Sequence, residues 1–353
     1  MIDVFTQGEP LPSSSVETVQ RTPEAIQHVF QLMTGHIVAS AVNIAARLGL
    51  SDRLAGGPRS ADDLARECGV DADALYRVMR ALGSLAVFEE LSPRTFALTP
   101  AGAALCDGPV RWMALWIAGE FNFHVYANAM HSVKTGESAV PTTVGHGVFE
   151  HFAQNPELSR IFNNAMTGFS AVVIPPVIEA YDFSGIRTLV DVAGGHGAVL
   201  TGILRKYPTM KGVLFDVDHV IAGARAAIAA QDLADRCTTV AGDFFTAVPG
   251  GGDAYIMKHI IHDWNDDKAA VILTNIRKVL PEDGRVILLE SVIPEGNEPG
   301  LGKIMDLEML VMPAGRERTE REFGALFERA GFTLTRVVPT QSPLSVVEGR
   351  PNA

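Results

Sequence analysis

The sequence predicts an α/β protein in which a doubly wound, mostly parallel sheet follows a mainly helical N-terminal domain. Three observations carry this. From residue 187 onward, short apolar runs alternate with helical periodicities, the rhythm of a parallel sheet covered on both faces. The first of these runs ends in clustered glycines from which a helix starts at once, the turn that an α/β ligand site requires. Residues 22–100 read as helices followed by a two-stranded hairpin, the order of a winged helix.

Composition bounds the function. A chain of 353 residues suggests two domains, at about 150 residues each. With 47% apolar and 20% charged residues, both can bury a core. The net charge of -12 repels phosphate backbones and anionic lipid, so neither nucleic acid nor a membrane surface is an expected partner. Cys68, Cys106 and Cys237 are scattered with no C-x-x-C pair, which argues against structural zinc or a disulfide framework and fits a reducing compartment. The N-terminus lacks a basic start followed by an apolar core, and no uninterrupted apolar run approaches the roughly 20 residues of a membrane span. A cytoplasmic protein is expected.

Residues 1–20 are polar, with Gly8, Pro10, Pro12 and a serine run, and read as a mobile arm. Residues 22–50 are helical, with Val29, Phe30, Met33, Ile37, Val38, Val42, Ala45 and Leu48 mostly three or four apart. Ser60 caps a helix over 61–67, Gly69 ends it, and Asp71 caps a second through residue 85. Segments 88–91 and 95–98 flank Ser92-Pro93-Arg94 as a hairpin. A DNA reader would carry cations on the second helix; it offers only Arg77 and Arg80 among many acids, so packing or dimerisation is the better reading. Residues 110–180 are mostly helical and rich in aromatics, with Phe162, Met166, Phe169 and Ser170 on one helical side. Strands then follow at 189–192, 213–217, 237–240, 254–257 and 286–289, with helices at 197–206, 220–231, 267–280, 301–312 and 319–330. A hairpin-like pair at 332–338 and 344–348 closes the chain. The expected domains are an arm at 1–20, a winged-helix-like dimerisation domain at 21–110, a helical linker and substrate-pocket region at 111–180 and a cofactor-binding domain at 181–353.

The stretch Asp191-Val192-Ala193-Gly194-Gly195-His196-Gly197 runs from strand to helix, and Gly194, Gly195 and Gly197 allow a ligand to approach the backbone. Asp216 ends the next strand, 19 residues after Gly197, the spacing of an acid that grips ribose hydroxyls. Asp243 ends the third strand, where it can accept the adenine amino group while Phe244 stacks on the base. The dinucleotide fingerprint needs a third glycine, but Leu200 stands there, and Asp191 would repel a pyrophosphate. The same charge suits the cationic methionine end of S-adenosylmethionine, which is therefore the expected cofactor.

On these motifs, from the winged-helix region to the last strand pair, the chain resembles the plant caffeic acid and flavonoid type of O-methyltransferase and its bacterial natural-product relatives. The resemblance implies a Rossmann-like methyltransferase sheet, S-adenosylmethionine turned over to S-adenosylhomocysteine, an aromatic small-molecule acceptor and a homodimer formed through the N-terminal domain. Ala193, His196 and Asp218 depart from residues common in the family at those positions.

The chemistry is expected at Lys258-His259-Ile260-Ile261-His262-Asp263-Trp264, where the fourth strand meets its loop. A phenol with a pKa of about 10 is a poor nucleophile at neutral pH. A histidine can take its proton during attack, helped by a carboxylate that fixes the tautomer. His262 is the candidate base, with Glu290 and Glu317 as candidate orienting acids. The resemblance assigns the same three residues, and implies cofactor contacts from the Lys258 main chain and from Ser170, and a substrate contact from Met166. At His259 many plant members carry Trp. Asp263 is expected to hold the loop at the substrate side, and Phe162, Met309 and Met312 join Met166 as candidate walls of an apolar acceptor pocket. No histidines and acids show metal spacing, so no metal site is expected. Methylation of nitrogen or carbon, a non-methylating use of the cofactor, and a ligand-sensing regulator remain as alternatives.

Overall fold

The computed structural model describes residues 21–352, so the expected arm at 1–20 lies outside the described residues. Two compact units divide the chain. The first comprises residues up to Ala127 together with Phe149–Phe169; the second comprises Asn128–Val148 and the chain from Ser170 onward. The stretch 111–180, expected as one helical linker, thus contributes to both.

In the first unit the helices α1 (Pro23–Met33) and α2 (Gly35–Leu48) replace the single helix expected over 22–50. Thr34 breaks the run: its hydroxyl donates to the Gln31 carbonyl at 2.9 Å and its N–H closes α1. None of α1 is buried, and Ile26, Val29, Phe30, Leu32 and Met33 are all exposed. After α3 (Leu50–Leu54) and the short strand β1 (Arg59–Ser60) come α4 (Ala61–Cys68), capped by Ser60, and α5 (Ala72–Gly83), capped by Asp71. The expected hairpin is β2 (Phe88–Ser92) and β3 (Thr95–Leu98), with β1 adding a third strand on the far side of β3. Arg94 at its tip is engaged by Asp62 at 2.7 Å and Asp73 at 3.0 Å, so this cation is neutralised within its own unit. Ala45, Leu50, Leu54, Leu64, Met79, Leu82, Phe88 and Phe96 form the core.

The helices α6 (Pro100–Ala104), α7 (Pro109–Ile117), α8 (Glu120–Tyr126), α9 (Ala129–Thr135), α10 (Val140–Val144) and α11 (Val148–Gln154) lead into the long α12 (Pro156–Ala180). Two helical stretches, Pro23–Leu48 and Pro156–Ala180, are long and apolar enough to cross a membrane by length and composition. Polar residues interrupt both, which is why neither shows as one apolar run in the sequence.

The second unit holds a seven-stranded sheet: β4 (Thr188–Val192), β5 (Lys211–Asp216), β6 (Cys237–Ala241), β7 (Ala254–Lys258), β8 (Arg285–Glu290), β9 (Phe332–Pro339) and β10 (Ser345–Pro351). Their spatial order is β6-β5-β4-β7-β8-β10-β9. The strands run parallel from β6 to β8, and β10 and β9 then pair antiparallel. The chain winds outward from β4 to β6, then returns to start the other half at β7. The gap between β4 and β7 is therefore the switch point, beyond whose strand ends such sheets bind ligands. The central strands are fully buried apolar runs, as a sheet covered on both faces requires. The covering helices are α13 (Ala198–Lys206), α14 (Asp218–Ala229), α15 (Asp266–Arg277), α16 (Leu301–Val311) and α17 (Glu320–Arg329).

Close packing sets α13 against the sheet. A Cβ on Gly212 would lie 2.9 Å from both Leu200 methyl carbons. Gly212→Ala is expected to lower unfolding stability by about 1–3 kcal/mol through overpacking. Urea denaturation checks this, and a midpoint equal to that of wild type would show that α13 can move aside freely.

Candidate active site

The cofactor loop is built at the end of β4. Asp191 is 1% exposed, and neither of its carboxylate oxygens has a hydrogen-bond partner. Burial, with a smaller contribution from nearby Asp216, pushes its pKa up to about 7. Gly194 must lack a side chain because a Cβ there would lie 2.5 Å from the Asp191 carboxyl group. Gly195 and Gly197 have φ of 59° and 81°, and Gly197 precedes the first turn of α13. Ala193 also has positive φ, 57°, a conformation that favours glycine. This conformation is a physical reason for the glycine of the related pattern, and Ala193 adopts it against the ordinary preference of a residue with a Cβ.

Asp216 ends β5, and its Oδ2 accepts from the Gly195 N–H at 2.8 Å, tying the second strand to the glycine loop. Asp243 is exposed just beyond β6, where it accepts from the Phe245 N–H at 2.9 Å. Phe244 is half-buried, with its ring edge-on to Phe245 at 4.8 Å and to Trp264 at 6.1 Å. Lys258 ends β7, and Ser170 is buried in α12. An orphaned buried carboxylate, a glycine turn without side chains and two further acids at neighbouring strand ends fit a nucleoside with a cationic tail.

The second cluster lies beyond β7 and β8. His262 sits in a single 3-10 turn, Ile261–Asp263, and is 8% exposed. Its Nδ1 lies 2.9 Å from Glu317 Oε1, and Glu317 is 2% exposed. Glu290, expected as the other orienting acid, contacts the loop backbone as well as the ring. Its Oε1 accepts from the Ile260 and Ile261 N–H groups, at 3.2 and 2.9 Å, while Oε2 stays 3.9 Å from His262 Nδ1. Glu290 therefore holds the loop backbone and acts on the ring through charge. Asp263 lies on the other side, its Oδ1 3.5 Å from His262 Nε2. Burial disfavours the imidazolium, but Glu290, Asp263 and Glu317 outweigh it and hold the His262 pKa at about 9. Burial pushes Asp263 up to about 6 and Glu290 above the ordinary carboxylate range.

His259, at φ 52°, stacks on His262 with ring centroids 4.4 Å apart. Its pKa falls well below the ordinary value, first through burial and then through the charge of His262. His259, His262 and Glu290 offer candidate ligand atoms within 4.8 Å of one another, a grouping that linear spacing does not reveal. The geometry is poor for zinc. Tetrahedral ligands about 2.0–2.1 Å from an ion lie closer together than that spread, Nδ1 of His262 already faces Glu317, and stacked rings aim their lone pairs side by side.

Met309 and Met312 are buried at the end of α16, 8% and 4% exposed. Phe162 and Met166 belong to the first unit, where Phe162 packs on Phe152 at 4.6 Å and on Trp116 at 5.0 Å. Sequence reasoning missed Arg318, Gly315 and Asp306. Arg318 is fully buried, and Asp306 Oδ1 accepts from the Glu317 N–H at 2.8 Å. The signal available was the charge run Arg316–Arg318, in which the two arginines share Asp266 while Glu317 faces His262. Arg316 meets Asp266 and Glu322, Glu317 meets His262, and Arg318 meets Asp266. The cap of α17 is a Thr319–Glu322 box, so Glu317 is left for His262.

A doubly wound sheet with a glycine turn after β4 and a histidine–carboxylate pair beyond β7 and β8 has the parts of a nucleoside-dependent enzyme, and the comparisons with known proteins say which. Residues 126–333 match the model of the O-methyltransferase domain, and residues 30–108 that of the O-methyltransferase dimerisation domain. The chain is 41% identical to phenazine O-methyltransferase PhzM of Lysobacter antibioticus, over 92% of this chain and 95% of that one. It is 34% identical to the mitomycin biosynthesis 6-O-methyltransferase of Streptomyces lavendulae, over 94% and 99%. Among solved structures, CalO1 of calicheamicin biosynthesis in its S-adenosylhomocysteine-bound form matches with a TM-score of 0.83 and 36% identity, over 94% of this chain and all of that one. A Streptomyces davaonensis 8-amino-8-demethylriboflavin N,N-dimethyltransferase is 33% identical, over 93% and 96%. The chain belongs to the S-adenosylmethionine-dependent O-methyltransferase family that acts on aromatic natural products. It is a methyltransferase, and its cofactor is S-adenosylmethionine.

The buried charge of Asp191 carries a stability signature. With a folded pKa near 7 against 3.8 unfolded, its favourable contribution is complete below the unfolded value and is lost as pH rises through 7. At pH 8 without cofactor, Asp191→Asn is expected to be more stable than wild type by on the order of 1–3 kcal/mol. The same variant should bind S-adenosylhomocysteine at least about tenfold more weakly. Thermal melts and calorimetry read the two effects; undiminished affinity would remove Asp191 from the cofactor site.

Proposed function

We propose that this enzyme methylates the hydroxyl group of a planar aromatic small molecule, with His262 as general base and Glu317 as its orienting acid. The observation that carries this reading is the buried 2.9 Å contact between His262 Nδ1 and Glu317 Oε1, beyond the same C-terminal edge of the parallel strands as the glycine loop after β4. Glu317 holds the Nδ1 proton, so Nε2 is the nitrogen that receives the acceptor's proton. A base near pKa 9 and a phenol near about 10 are closely matched, so the proton moves with little uphill cost. Asp263, beside Nε2, accepts a hydrogen bond from the acceptor or steadies the charged ring. When bound, S-adenosylmethionine supplies the sulfonium-activated methyl group. Asp191 would hold its cationic end, Asp216 its ribose and Asp243 with Phe244 its base. Ser170 and the Lys258 main chain complete that set, as the family pattern implies. Met309 and Met312, buried at the end of α16, are proposed for the acceptor side.

Hydroxylated phenazines are the first acceptors to screen, given the phenazine O-methyltransferase relative. Methylation of an aromatic amine is the second reading, favoured by the N,N-dimethyltransferase relative. Paired hydroxy- and aminophenazine assays separate the two by product mass. A homodimer is proposed from the dimerisation-domain match and from the exposed apolar residues of α1. Light scattering should give twice the mass of one chain, and a monomer at micromolar concentration would contradict it.

His262→Ala should lose at least about a hundredfold in kcat, the usual scale of general-base catalysis, while S-adenosylhomocysteine affinity holds. Full turnover in this variant would refute the base assignment. In wild type, kcat with a hydroxyphenazine should rise with pH toward 9, as the His262 imidazolium gives up its proton. Glu317→Gln removes the charge and weakens the hydrogen bond that raise this pKa, so the rise should move to lower pH while the plateau falls. An unmoved pH profile would detach Glu317 from the base.

A further inference from the structure

We infer that Arg318 is a positioning residue, a clasp that fixes the His262 turn against the segment carrying Glu317. The inference rests on the proposed pairing of His262 with Glu317.

Arg318 is fully buried, and its guanidinium uses every N–H it has. Nη1 donates to the carbonyls of Ile261 at 3.1 Å and Arg316 at 3.2 Å. Nη2 donates to the carbonyl of Trp264 at 2.9 Å and to Asp266 Oδ1 at 2.9 Å, and Nε donates to the same Oδ1 at 3.0 Å. Ile261 and Trp264 flank His262 and Asp263, so one rigid fork grips both ends of the turn that presents them. Arg316 precedes Glu317, so the same fork also holds the acid's own segment.

Two further contacts work in the same direction. The Arg316 N–H donates to the His262 carbonyl at 2.8 Å. A Cβ on Gly315 would lie 1.9 Å from that carbonyl oxygen, so the two segments touch at backbone level and only glycine fits. On its other side the segment is pinned by the Ile293 N–H donating to the Arg318 carbonyl at 3.0 Å. A single 3-10 turn has no side-chain cap of its own here. Its position, and with it the His262–Glu317 distance, is set by this clasp.

Burying a guanidinium is a costly way to gain stability, since apolar side chains of similar volume often do as well or better. What the guanidinium adds is geometry. Lysine keeps the charge but offers three donors on a flexible stem, and cannot reach three carbonyls and a carboxylate at once. Arg318→Lys therefore tests the fork separately from the charge.

The experiment is histidine-selective NMR titration of His262 in wild type and Arg318→Lys, with resonance assignment by His262→Gln. Thermal melts and S-adenosylhomocysteine calorimetry serve as controls for folding. With the clasp weakened, Glu317 no longer stays on Nδ1, and the His262 pKa should fall by about one unit or more. Cofactor affinity should stay within about threefold of wild type, and kcat for hydroxyphenazine should fall about tenfold or more. An unchanged His262 titration in a folded Arg318→Lys protein would overturn the inference. If that variant fails to fold, Asp266→Asn removes the carboxylate that anchors the fork and should shift the titration the same way by a smaller amount; no shift there would overturn the inference equally. The double variant Arg318→Lys/His262→Gln separates this inference from the base assignment. A further loss of kcat beyond His262→Gln alone would mean that Arg318 acts elsewhere. Normal turnover in His262→Gln alone would sink the base and leave the NMR test of the clasp intact.

Discussion

The structure depends on keeping charge out of water at the C-terminal ends of β4, β7 and β8. Asp191, Glu290 and Glu317 are almost inaccessible, and His262 lies within 3.9 Å of the last two. An isolated charge in such a place is expensive, and the chain has two ways of carrying it. In the His262 cluster the charges compensate one another: the ring carries a proton to about pH 9 because three carboxylates surround it. At Asp191 neither carboxylate oxygen has a hydrogen-bond partner, and burial outweighs the nearby Lys258 charge to hold its pKa near 7 beside a glycine turn. In the His262 cluster the opposite charges face one another, although Glu290 Oε2 and Glu317 Oε2 accept no hydrogen bond, whereas Asp191 has no hydrogen-bond partner for either oxygen.

This division has a structural basis. The cofactor side is made of backbone: a parallel sheet, a switch point and a turn in which Gly194 cannot carry a side chain. The acid–base side is made of side chains reaching across from separate strands and loops. His262 follows β7, Glu290 ends β8, and Glu317 arrives after α16, near the N-terminus of α17. Side chains from three segments stay in register only if the segments are locked together. Glu290 binds the loop N–H groups, Arg318 binds its carbonyls, and Gly315 lets the backbones touch.

Much of this was legible in the sequence. The strands of the sheet, the glycine turn and the acids Asp216 and Asp243 follow from apolar runs and from spacing along one chain, both of which are local properties. The hairpin at Arg94 and the caps at Ser60 and Asp71 were legible for the same reason. The break at Thr34 was not, because apolar periodicity continues through it and only backbone hydrogen bonding marks the stop. The close grouping of His259 with His262 and Glu290 was also invisible, since it joins residues from two strands.

The sequence by itself determined the class of sheet, the cofactor and the candidate base, because each is written in residues that lie near one another along the chain. Only the tertiary structure decided which groups the acids face. Glu290 and Glu317 look equivalent as letters, yet one faces backbone N–H groups and the other faces an imidazole nitrogen. Arg316 and Arg318 flank Glu317 equally, yet both arginines meet Asp266 while Glu317 faces His262, as expected where successive side chains point to opposite sides. Hydrogen-bond partners over such separations are fixed by packing, and packing is not a property of any single stretch of sequence.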